Sequence, residues 1–261
     1  MIAFVTGAAH GQGRATALAL AREGYDIAAL DVARQLEHPG YRLGTTEELD
    51  SLKAEVEALG RRCVTIVADV RDDEAVREGV ERTVAELGGV DVLFNNAGVC
   101  FYAPVTEMTE AQWDAMIDIN LKGCWIVGRH VIPHMIAVGG GVIVNNSSIA
   151  GLRGMNRLSH YAASKWGLTG LTKSWAIELA PHGIRVVSIH TTGVDTPLND
   201  GLAELEGKTT EEIAELSAGN LQPVPWIQPE DVAEAVVFLV SDRARHMTGS
   251  QLVIDAGLLT K

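Results

Sequence analysis

The sequence predicts an α/β protein, one doubly wound parallel sheet with helices on both faces, and three observations predict it. Short apolar runs alternate with stretches of helical periodicity along the whole chain, the pattern of repeated strand–helix–strand units. A glycine-rich turn separates the first apolar run from the first helical stretch. No repeat, low-complexity tract or linker interrupts the alternation, so residues 1–261 read as a single domain. With 261 residues, 47% of them hydrophobic, the chain can bury a substantial core.

Taken in order, residues 2–6 form the first strand. Gly7, Gly11 and Gly13 follow, with Gln12 among them, and a helix runs over 14–23. Glycine permits a tight turn and lets backbone approach a pyrophosphate, while the helix N-terminus offers unpaired N–H groups and the positive end of a dipole. A lone glycine triplet is weak evidence. The second strand, 26–30, strengthens it by ending at Asp31, about twenty residues beyond the turn, where a carboxylate would hold an adenosine ribose. A carboxylate there repels a 2′-phosphate, so Asp31 favours NAD over NADP, with Arg34 the nearby residue that argues the other way. These are the parts of a Rossmann fold.

Residues 34–45, with a turn at Pro39 and Gly40 and Tyr41 among mostly polar neighbours, are longer than an ordinary connection and read as a surface insertion. Thr45 and Glu48 have capping-box spacing, which starts a helix that Gly60 ends. A third strand, 63–68, delivers Asp69 to where a polar group meets an adenine, with Val70 lining the same pocket. A helix over 73–87 and a strand over 90–94 lead into Asn95, Asn96, Ala97 and Gly98. Amides at a strand's carboxyl end suit a ligand crevice, although Asn and Gly are also common turn formers. Thr109 and Gln112 cap a helix that continues through Trp113, Ile117, Leu121 and Trp125 towards Met135. Asn120 inside it asks for a reason, a water bridge or a kink, against the plainer alternative of a surface position.

The strand 142–145 leads to Asn146, Ser147 and Ser148, and the next helix carries Tyr161 and Lys165. Residues i and i+4 share a helical face, so a phenol and an ammonium point into one space. A tyrosine titrates near 10 and is a poor base at neutral pH, but a neighbouring cation lowers that value. By itself the pair is also an ordinary feature of amphipathic helices. Gly183 ends the helix, 184–189 is a strand, and 190–197 a loop at its carboxyl end. Residues 198–226 are polar and irregular, with a further Thr209/Glu212 capping box, and read as a mobile lid. Pro229 begins a helix with the stripe Val232, Val236 and Leu239, and 252–254 is the last strand.

A formal charge of −13 argues against nucleic-acid or lipid-surface binding, which needs clustered Lys and Arg. Cys63, Cys100 and Cys124 are odd in number and widely spaced, as expected of reduced thiols in a cytoplasmic protein rather than of a metal site. No run approaches the length of a membrane span.

Together these residues resemble the short-chain dehydrogenase/reductase family over essentially the whole chain. Residues 6–13 (TGAAHGQG) look like its TGxxxGxG turn, 95–98 its NNAG, and Asn120, Ser148, Tyr161 and Lys165 its Asn-Ser-Tyr-Lys tetrad. The insertion, VEALGRR at 56–62, HTTGVDTPL from His190 and PVPWIQPEDVAEAVVFL from Pro223 resemble the mycofactocin-associated, carveol-dehydrogenase-like subgroup. Two positions depart from that pattern, Thr191 where Pro is usual and His10 where Arg is usual.

The resemblance implies hydride transfer between a secondary alcohol or ketone and NAD. Tyr161 is then the general acid or base, Lys165 lowers its pKa and holds the nicotinamide ribose, Ser148 binds the substrate oxygen, and Asn120 holds a relay water. Val194 and Thr196 match the positions that fix the carboxamide. In the subgroup the insertion covers the nicotinamide, so NAD does not exchange and mycofactocin takes the electrons. A homotetramer is also implied, built on the helices after Thr109 and Ser159, with Trp125, Trp166 and Trp175 at interfaces or in the core. The rival readings are a reductase with exchanging NAD(H) and a nucleotide sensor without catalysis. Met155, Leu198, Leu202 and Trp226 suggest a hydrophobic substrate.

Overall fold

The computed structural model describes residues 1–216 and 219–260. Its strands are β1 Ile2–Thr6, β2 Asp26–Asp31, β3 Cys63–Val67, β4 Val92–Asn95, β5 Gly141–Asn146, β6 Ile184–Thr191 and β7 Gln251–Ile254. Among the described residues they form one parallel sheet in the order β3–β2–β1–β4–β5–β6–β7. The helices are α1 Gly11–Arg22, α2 Thr46–Ala58, α3 Asp73–Leu87, α4 Glu110–Ile117, α5 Gly123–Val138, α6 Ser159–Leu179, α7 Pro197–Glu206, α8 Thr210–Leu216 and α9 Pro229–Val240.

Alternation along each buried strand sends side chains to two apolar layers. Phe4, Ala28 and Leu30 face one layer, with Val76 and Val80 of α3 and Trp175 and Leu179 of α6. Ala3, Val5, Ile27 and Ala29 face the other, with Leu20 of α1, Leu52 and Val56 of α2, and Val232 and Val236 of α9. Parallel pairing requires crossovers, and these winds carry the helices to both faces. The chain turns back between β1 and β4, so the loops leaving their carboxyl ends diverge and open a crevice there.

The capping boxes at Thr45/Glu48 and Thr109/Gln112 form with both reciprocal hydrogen bonds. Three sequence expectations change. The helix expected to run unbroken from Thr109 towards Met135 is interrupted by a π turn over Asp118–Lys122 that contains Asn120. Its wider turn re-aims side chains, so the anomalous asparagine marks a kink. Part of the stretch read as irregular is the regular helix α7, started by Pro197 at its first turn and stopped by Gly207 in the left-handed region. The insertion is only partly a surface loop, because Pro39, Tyr41 and Gly44 are buried. No helix among the described residues is long and apolar enough to cross a membrane.

Candidate active site

The crevice at the carboxyl ends of β1 and β4 is a cavity whose walls include Gly7, Gly11, Gln12, Asp31, Asp69, Val70, Asn96, Ala97, Gly98 and Thr196, with Tyr161 and Lys165 at one end. Gly7 and Gly11 adopt positive φ of 64° and 55°. A Cβ on Gly13 would lie 2.0 Å from the Gly7 carbonyl oxygen, so only glycine lets the helix start this close to the strand.

The NNAG segment braces this turn. Thr6 Oγ1 accepts the N–H groups of Asn96 and Ala97 at 2.9 and 3.0 Å, and Asn96 Nδ2 donates to the Thr6 carbonyl at 2.9 Å. Asn146 Nδ2 in turn donates to Asn96 Oδ1 at 2.8 Å and to Gln12 Oε1 at 3.0 Å. The Asn96 side chain is therefore spent on the scaffold, while Asn146 Oδ1 is left buried without a partner where Asn146 lines the cavity. An orphaned acceptor beside a cradle this tight fits a ligand that brings its own donors.

Asp31 is buried, and its two carboxylate oxygens accept the N–H groups of Ala9 and Ala33 at 3.0 and 3.1 Å. Arg34 does not stand free to meet a phosphate. It lies 3.6 Å from Asp69, which also holds Arg71 through a 2.6 Å contact. These arginines, against the opposing effect of burial, draw the Asp69 carboxyl below its ordinary range. Thr196 precedes α7 without capping it and sets its methyl near Gly11, while Val194 bridges to Ile227 and its carbonyl accepts Thr196 Oγ1 and Asn199 Nδ2.

A second cavity adjoins the first and shares Tyr161, Gln12, Thr191, Thr196 and Leu198 with it. Its walls include Ser148 and the apolar Met155, Leu202, Ile213 and Trp226. Tyr161 thus stands at the junction. Ser148 lies close enough to its hydroxyl to draw the phenol down, against the effect of burial. Ser148 Oγ accepts the Ala150 N–H at 3.1 Å, which leaves the serine hydrogen for an oxygen in the cavity. Lys165 Nζ sits 5.5 Å from the Tyr161 ring centre and donates to the Asn146 carbonyl at 2.8 Å. Burial pushes the Tyr161 phenol well up and the Lys165 ammonium down. The lowered tyrosine expected from the i,i+4 pair is therefore not a property of the chain alone, because burial dominates both groups and Lys165, 5.5 Å from the ring centre, does not offset it.

Asn120 lies outside both cavities. Its amide pairs with Val99 as a strand would, accepting the N–H at 2.8 Å and donating to the carbonyl at 2.9 Å, and fixes the segment after Gly98. Sequence reasoning assigned no role to Tyr41, which crosses from the insertion to the Cys100 N–H, and placed His190 in a loop, whereas it lies on β6, buried behind Ser148. Each carried a signal: an aromatic in a polar loop, and an ionisable residue on an apolar strand. The three cysteines are free and buried, their thiols pushed up to about 12 at Cys63 and Cys100 and about 11 at Cys124.

A glycine-cradled cleft at a topological switch point, joined through a tyrosine to an apolar chamber, defines a dinucleotide-binding oxidoreductase. Residues 7–259 match the family model described as enoyl-(acyl carrier protein) reductase. The chain is 44% identical to (−)-trans-carveol dehydrogenase of Rhodococcus erythropolis, covering 100% of this chain and 98% of that one. It is 36% identical to cyclohexanol dehydrogenase of an Acinetobacter species, covering 100% and 95%. The crystal structure of carveol dehydrogenase from Mycobacterium avium in complex with NAD superposes with a TM-score of 0.94 at 38% identity, covering 100% of this chain and 98% of that one. The chain belongs to the short-chain dehydrogenase/reductase family and falls among its carveol-dehydrogenase-like members.

Proposed function

We propose that the protein is an NAD-dependent dehydrogenase that interconverts a small, largely apolar cyclic secondary alcohol and its ketone. The observation that carries this reading is the position of Tyr161, whose side chain lines the dinucleotide cleft and the apolar chamber at once. Relatives named for carveol and cyclohexanol support the substrate class. Bound NAD supplies the hydride acceptor and, when oxidised, a positive charge.

In the oxidising direction Ser148 donates its hydroxyl hydrogen to the substrate oxygen, and Tyr161 removes the alcohol proton as that oxygen becomes a carbonyl. Lys165, anchored on the Asn146 carbonyl, holds a cation beside the phenol and faces the ribose end of the cleft. Asp31 receives the adenosine ribose, with Asp69 and Val70 around the adenine. The Asn120 side chain is occupied by Val99 and its backbone carbonyl accepts the Cys124 thiol at 3.3 Å, so a relay water at Asn120 would have to share that carbonyl.

We further infer that NAD is retained between turnovers and reoxidised in place by an acceptor of the mycofactocin kind. The insertion supports this: Leu36 and Leu43 wall the cleft, and the Tyr41 ring packs on Gly201 of α7. The exposed Trp125 and Trp166, beside a groove lined by Leu121 and Leu171, support assembly as a homotetramer, while Trp175 is core. Free thiols at all three cysteines suit the cytoplasm.

The test is to assay nucleotide released on denaturation of the purified protein, then turnover of cyclohexanol and carveol with added NAD or an artificial electron acceptor. Retained NAD with turnover only on the acceptor is expected. An empty protein that cycles added NAD restores the exchanging alternative, and full turnover by Tyr161→Phe removes the catalytic assignment.

A further inference from the structure

Ser148 is held from behind by a buried polar chain on β6. Ser188 and His190 are two residues apart on a strand, so they share a face, and both are completely buried. Their strand neighbours Val186, Val187 and Ile189 are all core residues. A hydroxyl and an imidazole on such a strand are costly unless each polar atom is paired. Here both ring nitrogens are. His190 Nδ1 lies 2.8 Å from the Ser148 carbonyl oxygen, and Nε2 lies 2.9 Å from Ser188 Oγ.

The chemistry of the two partners selects one tautomer. A carbonyl oxygen only accepts, so the hydrogen is on Nδ1, and the neutral ring's Nε2 accepts from the Ser188 hydroxyl. Burial holds the imidazole below its ordinary range against the opposite pull of the Ser148 carbonyl, and Lys165 and Lys173 add to the lowering. The ring is thus a neutral spacer with one donor aimed at Ser148. The same carbonyl accepts the Gly151 N–H at 2.9 Å, while Ser148 Oγ accepts the Ala150 N–H at 3.1 Å. Of these three restraints two arise within the local 149–151 turn. Among the described residues His190 is the side chain that ties the Ser148 carbonyl to the sheet, one residue beyond the Ser147 N–H bond to the Ile189 carbonyl at 2.9 Å.

We propose that His190 is a positioning residue for the reaction, setting the backbone of Ser148 through its Nδ1–H so that the serine hydroxyl meets both Tyr161 and the substrate oxygen. The proposal rests on the reading of Ser148 and Tyr161 as the proton-handling pair. Loss of the bond has two consequences. The substrate oxygen sits less well, which lowers the rate of the chemical step, since displacements of about 1 Å at a reacting centre cost up to about 100-fold. Before the substrate takes the serine hydrogen, the Ser148 hydroxyl beside Tyr161 favours the phenolate; its displacement removes that help, so the pH midpoint of alcohol oxidation read in kcat/KM moves up.

The experiment compares His190→Leu, His190→Asn and His190→Gln in the full-length protein, loaded with whatever nucleotide it retains, with cyclohexanol as the probe substrate. An asparagine amide nitrogen occupies the place of Nδ1 and a glutamine amide nitrogen lies nearer that of Nε2. His190→Leu is expected to lower kcat by about tenfold or more with nucleotide content unchanged, and to move the pH midpoint up. His190→Asn is expected to recover most of both, and His190→Gln little of either. Ser188→Ala, which keeps the Nδ1 bond, is expected to lose less than His190→Leu. If His190→Leu does not fold, the contrast between the Asn and Gln variants decides.

Wild-type kcat and midpoint in His190→Leu overturn the proposal, as does equal behaviour of His190→Asn and His190→Gln. Tyr161→Phe is the control: an inactive Tyr161→Phe with unaffected His190 variants rejects the positioning role alone, whereas an active Tyr161→Phe rejects the catalytic reading beneath it.

Discussion

The hydroxyl of Tyr41 accepts the backbone N–H of Cys100 at 3.2 Å, joining the insertion to the segment that follows β4. Tyr41 is 3% exposed, and its ring fills the space above Gly201 so closely that a Cβ there would fall 2.3 Å from Tyr41 Cγ. One side chain thus pins the insertion to both the segment after β4 and α7. If the insertion retains the nucleotide as proposed, release requires Tyr41 to leave. Tyr41→Phe removes the acceptor and leaves the Cys100 N–H buried and unpaired, and Gly201→Ala pushes the ring out. Both variants are expected to speed exchange of bound for labelled NAD several-fold; exchange as slow as wild type in both would show that the insertion does not retain the cofactor.

Asp31, proposed to set nucleotide choice, also has a structural part. Asp31→Ser relieves repulsion of a 2′-phosphate but strands the Ala9 and Ala33 N–H groups that the carboxylate accepts. The expected result is nucleotide co-purifying partly as NADP and a fold weaker by about 1–3 kcal/mol, read by nucleotide analysis and denaturant unfolding. Retention of NAD alone by a fully stable variant contradicts both halves.

His160 is fully buried against Phe101, ring centres 4.9 Å apart, and neither ring nitrogen has a partner. His160→Leu is expected to raise stability by about 1 kcal/mol, because an unpaired buried polar group is exchanged for an apolar one. Burial holds the imidazole below its ordinary value. Above about pH 6.5 both folded and unfolded chains leave it neutral. As pH falls below that, the unfolded chain takes up a proton that the folded chain refuses, and stability drops until the folded value is reached. The leucine variant should therefore lose less stability than wild type between about pH 6.5 and pH 5. A steeper loss in the variant would be the contrary outcome.

Arg157 and Glu206 form a two-point ion pair, at 2.7 and 3.0 Å, between the loop after Ser148 and the end of α7. Because both residues line the chamber proposed to take the alcohol, Glu206→Gln is expected to raise KM for the alcohol by about threefold to tenfold with a smaller effect on kcat. An unchanged KM would mean the lid is held by its apolar contacts alone.

Much of this protein is written locally. Helix starts at Thr45 and Thr109, the glycine turn, and the strand-end positions of Asp31, Asp69 and Asn96 each depend on residues a few places apart, so spacing alone exposes them. Tyr161 and Lys165 share a helical face for the same reason. The bend at Asn120 was legible as an anomaly, although its partner Val99 was not.

What the tertiary structure decided are the pairings across long stretches of chain: Tyr41 with Cys100, His190 with Ser148, Arg157 with Glu206. These meet only because the strand order sets β6 beside β5 and folds the insertion over the switch point. Burial was decided there too. It turned the expected easing of the Tyr161 proton into a phenol held high by desolvation, because the dielectric around a side chain is a property of everything packed against it and not of its neighbours in sequence.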